Sequence, residues 1–98
     1  MLLGRFRVQP AENRKFTVDY GEERLQDDNL LFAVNSVTVD VVTDPPFTVT
    51  AGMSADQKNV VLFTAGGVSN TQYKVEITVS AEDSQIWQDE IIYQCEDV

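Results

Sequence analysis

Apolar residues recur at every second position through much of the chain. The longest unbroken run is Tyr73, Val75, Ile77 and Val79, with Gln72, Lys74, Glu76, Thr78 and Ser80 between them. Strict alternation gives a strand one buried and one wet face. The same period predicts short strands over Arg5–Val8, Lys15–Tyr20 (Phe16, Val18 and Tyr20 on one face) and Phe47–Ala51. Leu31 to Val42 predicts the longest strand. Leu31, Ala33, Val37, Val39 and Val41 share one face, with Ser36, Thr38 and Asp40 opposite, beside Val34 and Val42. Val60 to Thr64 is apolar on both sides, which predicts a strand deep in a sheet or one whose second face is covered. The last strand, Gln85 to Cys95, carries Trp87, Ile91 and Tyr93 on one face and Ile92 on the other, leaving room for a bulge.

Turn residues punctuate these runs. Pro10 ends the first, Gly21 breaks the second, and Asp44-Pro45-Pro46 and Glu82-Asp83-Ser84 are turns. Gly52 to Asn59 is a polar loop. Glu22 to Asn29 reads as a loop anchored by Leu25, with space for one helical turn. Gly66-Gly67 requires a turn of positive φ. About seven strands without an amphipathic helix predict an all-β fold, an immunoglobulin or fibronectin-III-like β-sandwich, with a small barrel as the alternative. Tyr73 opens its strand just after the glycine turn, where such sandwiches place a tyrosine corner. Trp87 is expected in the core, with an interface anchor as the other reading. The last strand is expected at or near a sheet edge, where Asp89 and Glu90 guard against stray pairing. The chain reads as a single domain over 1–98, with a lead-in at 1–13 and a frayed end at 96–98.

Charge and composition narrow the chemistry. The net charge of −9 argues against nucleic acid and against an anionic membrane surface. The acids are spread along the chain, so solubility and mutual repulsion explain them better than a basic partner does. No apolar run reaches the roughly 20 residues of a membrane span. Gly4-Arg5 interrupts Met1-Leu2-Leu3, so no signal-peptide core is expected, and synthesis in the cytoplasm follows. The chain has one cysteine and no histidine. That removes Ser-His-Asp and Cys-His catalysis and any ordinary zinc site. Cys95 reads as a small buried thiol, since no basic neighbour activates it. Gly66-Gly67 leads into a strand, not into the helix a phosphate loop needs. Asp27-Asp28-Asn29, with Asp19 or Glu22, is a calcium candidate, but the spacing is not that of an EF-hand and a solvated loop is the simpler reading. A domain this small has little room for the substrate cleft that paired carboxylates would serve. No cofactor, no metal and no enzymatic activity are expected.

Phe16-Thr17-Val18-Asp19-Tyr20, Leu25, and Asp28-Asn29-Leu30-Leu31 entering a Val-rich strand form one half of a pattern. Ala65-Gly66-Gly67, the Tyr73–Val79 strand and Asp89-Glu90 form the other. Together they resemble the phage fibre–tail adaptor family, small immunoglobulin-like proteins of tailed phages and prophages. The chain departs from the family pattern in lacking a Trp near Leu25, and in carrying Glu82-Asp83-Ser84-Gln85 where a Gly-Arg is common. The resemblance implies a non-catalytic virion protein that connects tail, neck or fibre components through protein–protein contacts. Its partners would be other phage structural proteins or further copies of itself as a homo-oligomer. Asp27, Asp28, Asp89 and Glu90 are the candidate interface residues. A stand-alone fibronectin-like module binding a protein or a carbohydrate through an exposed Trp87–Tyr93 pair is the alternative, and a loop-type protease inhibitor is a third class.

Overall fold

A computed structural model describes residues 1–26 and 28–97. Its strands are β1 (Leu2–Val8), β2 (Asn13–Asp19), β3 (Leu31–Val39), β4 (Phe47–Met53), β5 (Asn59–Gly66), β6 (Thr71–Ala81) and β7 (Ile86–Cys95). One helical turn, α1 (Tyr20–Glu23), follows β2. A four-stranded sheet in the order β1-β7-β6-β3 packs on a three-stranded sheet in the order β2-β5-β4. All neighbours are antiparallel except β1 and β7, which run parallel. The fold is an immunoglobulin-like β-sandwich with its core between the two sheets.

The core follows the alternation most faithfully in β6, where Tyr73, Val75, Ile77, Val79 and Ala81 are all buried. From β7 come Ile91, Tyr93 and Cys95, and from β5 come Val60 and Leu62. Burying these side chains, at about 25 cal/mol per Å2 of apolar surface, is what orders the chain without a disulfide.

Elsewhere the pattern and the structure part. In β3 the register shifts between Leu31 and Ala33 and again between Val34 and Ser36. Each extra residue reverses the phase, so Val34, expected opposite Leu31, packs against the core together with Val37 and Val39. The strand stops at Val39. There Asp40 turns aside, its carboxylate accepting the Lys74 amide at 2.9 Å and its own amide donating to the Lys74 carbonyl at 3.0 Å. Val41 and Val42 are consequently exposed.

The β6–β7 register runs unbroken from Thr71 opposite Cys95 to Ser80 opposite Ile86, without the bulge expected near Ile92. Ile92 lies on the outer face, in register with Lys74 on β6 and Arg5 on β1.

Strand β5 is the middle of its sheet, which explains its apolar content, but its outer face is uncovered and Phe63 is 54% exposed. The lead-in is a full strand: β1 starts at Leu2, and β7 lies inside the sheet because β1 covers its edge. The expected frayed end is tied down at two residues. The Glu96 amide donates to the Val8 carbonyl, and the Asp97 amide to Ser69 Oγ, both at 2.9 Å. Val98 lies outside the described residues.

Candidate docking surface

Two polar clusters hold the sandwich in shape, and each involves residues singled out from the sequence. The first is the turn before β6. Gly66 has φ +77°, and a Cβ there would stand 2.5 Å from the Pro46 carbonyl oxygen. Gly67, at φ +97°, donates its amide to the same carbonyl at 3.0 Å. The Tyr73 hydroxyl accepts the Val68 amide at 2.9 Å and exchanges a hydrogen bond with Thr43 Oγ1 at 2.8 Å. Thr43 Oγ1 in turn donates to the Pro45 carbonyl at 2.9 Å. Tyr73 thereby ties the β5–β6 turn to the segment leading into β4, and Phe47 stacks on its ring at 4.7 Å.

The second cluster surrounds Asp89. This residue is 1% exposed, so it cannot guard an edge. It shares the face of Ile91 and Tyr93, which the strand parity already required. Its carboxylate accepts the Tyr20 hydroxyl at 2.8 Å and a hydrogen bond from Arg24 Nη2. Burial, and the hydrogen bond and charge of Asp89, push the Tyr20 hydroxyl well above its usual range. Half-buried Trp87 stacks on Tyr20 at 6.0 Å, and the Arg24 guanidinium sits 5.7 Å from the Trp87 ring. α1 positions Tyr20 and Arg24, with the Arg24 and Leu25 amides both donating to the Tyr20 carbonyl. Local sequence does not show this cluster, because Tyr20 ends an alternating run and Arg24 lies in a polar stretch, and only the fold brings both to Asp89. The in-phase position of Asp89 was the available signal.

The remaining candidates are more ordinary. Glu90 is half-exposed on the outer face, 3.8 Å from Lys74 Nζ. Asp28 is exposed, and Asp27 lies outside the described residues. Among the described residues no group of three or more potential ligands could hold a metal ion. Cys95 is buried, and that burial together with the Asp97 charge raises its thiol pKa. Tyr93 is completely buried, so the exposed Trp87–Tyr93 pair expected of a carbohydrate module does not form.

A cleft of about 570 Å3 opens on the flank where β1 and β2 end their sheets. Leu3, Phe6, Phe16, Val18 and Ile91 line it. Phe6 and Phe16 meet at 4.8 Å, and Phe16 touches Tyr93 edge-on at 5.0 Å. Lys15, Thr17 and Asp19 line it as well, so an open trough between two strand edges offers a partner segment both apolar and polar contacts.

Fold and surface together define a small immunoglobulin-like β-sandwich with an open cleft on one flank. A family model described as podophage GP4 fiber-tail adaptor protein gp77 matches residues 9–94. The chain belongs to this family, a structural component of the phage particle. A search of curated proteins finds no match.

Proposed function

We propose that this chain connects tail and fibre components of a podophage particle through protein–protein contacts made by its sheet edges and loops. Residues 1–98 act as one unit, synthesised in the bacterial cytoplasm and incorporated during assembly. The observation that carries this reading is the adaptor-family match over residues 9–94. The sandwich offers exposed apolar side chains, Phe6 and Phe32 on edge strands and Phe63 on an outer sheet face, which is what a connector needs. Exposed Asp28 and half-exposed Glu90 contribute charge at the contact rim, where they set orientation more than affinity.

The test is cross-linking mass spectrometry on purified particles. The chain is expected at several copies per particle, with cross-links to both a tail and a fibre protein. Absence from particles while the chain is abundant in the lysate overturns the connector role.

A further inference from the structure

We propose that the outer face of the β2-β5-β4 sheet binds an acidic saccharide, stacked on the ring of Phe63. The inference does not rest on the connector role, because no partner protein enters it.

The sheet limits what can be held here. β5 is hydrogen-bonded to β2 along one edge and to β4 along the other, so no added strand can pair with it. A ligand on this face is therefore held by side chains alone. Phe63 stands at the centre, 54% exposed, in register with Lys15 on β2 and Thr50 on β4. The next row along the strands is Ala65 between Asn13 and Thr48. Side chains alternate along a strand, so both rows point to the same outer face. Ala65 is small, and the two rows border a hollow of about 290 Å3 beside the Phe63 ring, close to the roughly 300 Å3 at which small-molecule sites begin.

The chemistry of the two rows fits a sugar ring. The face of an aromatic ring is electron-rich and attracts the polarised C–H groups on one side of a pyranose. The hydroxyls of that pyranose then project sideways, toward neighbouring strands roughly 4.8 Å away on either side. There the Thr50 hydroxyl, the Asn13 amide and the Lys15 ammonium are exposed and make no side-chain hydrogen bond or ion pair among the described residues. Between them they supply both donors and acceptors. An anchor for a protein is sealed from water by its surroundings, whereas this ring is framed by polar groups.

Charge sets the class of sugar. Residues 13–18, 47–53 and 60–66 include Arg14 and Lys15 and no Asp or Glu, in a chain of net charge −9. Arg14 is engaged by Glu12 at 3.5 Å, and its guanidinium lies 5.3 Å from the Phe16 ring. Lys15 is the cation left to meet a carboxylate. A nucleic acid needs a far broader basic surface than one lysine, but a sugar with a single carboxylate does not.

Amide NMR spectra of the isotope-labelled full chain test this, titrated with digalacturonic acid, sialyllactose and neutral cellobiose. The range extends to about 20 mM, enough to saturate a site of roughly millimolar affinity. At least one acidic probe is expected to shift the amides of Lys15, Thr50, Phe63 and Ala65, with cellobiose bound more weakly. Phe63→Ala, at an exposed position, is expected to weaken binding of the acidic sugar about tenfold, with an unchanged thermal melt. Lys15→Gln is expected to weaken it about threefold and to leave the response to cellobiose as it was. Spectra that neither acidic probe moves overturn the proposal and leave the face to a protein contact. So do shifts that survive Phe63→Ala, or cellobiose bound as tightly as the acidic sugars.

Discussion

The turn at Tyr73 and the cluster at Asp89 place polar groups in the same core by opposite means. At Tyr73 the groups are neutral, and the partners are the amide five residues upstream and Thr43. At Asp89 a carboxylate, a guanidinium and a phenol converge from positions 65 and 69 residues apart. A neutral hydroxyl with two partners loses little on burial. A buried charge loses its hydration, and only the complete set of partners offsets that. The neutral corner is therefore a local fastening, whereas the charged cluster welds α1 to β7 and fails as a unit.

The largest effect should therefore come from breaking the charged cluster on one side. Arg24 is only 20% exposed at its side chain and Asp89 is 0%. Arg24→Met leaves the carboxylate with the half-exposed Met1 ammonium, 3.5 Å away, as its one cation among the described residues, and is expected to cost about 3 kcal/mol in denaturant unfolding. The double variant Arg24→Met/Asp89→Asn keeps an acceptor for Tyr20 and removes the charge. It should recover more than half of that loss. Equal stability of the single and double variants would mean the cluster is not acting as a charge pair.

The corner should break next most readily at its backbone. Gly66→Ala puts a methyl group in contact with a carbonyl at a φ that L residues avoid, and is expected to cost about 2 kcal/mol or more. Gly52 is the control, since nothing lies within 4 Å of a Cβ there. Gly52→Ala should move stability by no more than about 0.5 kcal/mol. Equal melts for the two alanine variants would show that the turn relaxes without the glycine.

This contrast also explains what could be read from the sequence. The glycine pair, Tyr73 and the alternation of β6 are neighbours in the chain, so their geometry is written in local order. The sandwich class followed from them and from the regular turns. The bulges of β3 were not legible, because Leu31 to Val42 offers valines in both phases and only pairing with β6 selects one. The Asp89 cluster was half legible. Its parity was visible, but its partners come from a turn whose helical form is set by tertiary contacts. The cleft on the β1–β2 flank was hidden for another reason: Phe6 and Phe16 lie on separate strands, and only the packing of the two sheets brings their rings to 4.8 Å.

The finest test contrasts the corner with a second buried tyrosine beside it. Tyr73 and Tyr93 are directly opposite on β6 and β7, yet the Tyr93 hydroxyl is buried without a hydrogen-bond partner among the described residues. Tyr73→Phe removes a made bond and should destabilise by about 1 kcal/mol, whereas Tyr93→Phe removes an unmade one and should be neutral or stabilising by less than about 1 kcal/mol. The second difference should grow in alkali. Burial raises the Tyr93 hydroxyl above its usual value of 10.0, so above pH 10 the unfolded chain releases a proton that the folded chain keeps. Stability is therefore fully present below pH 10 and falls as pH rises beyond it. Tyr93→Phe deletes this contribution. Its advantage over the wild type should widen by about 1 kcal/mol one pH unit above 10, as read from urea midpoints at pH 8 and 11. A constant gap between the two pH values would show that the Tyr93 hydroxyl ionises as freely in the folded chain as in the unfolded one, and that it is not sealed in the core.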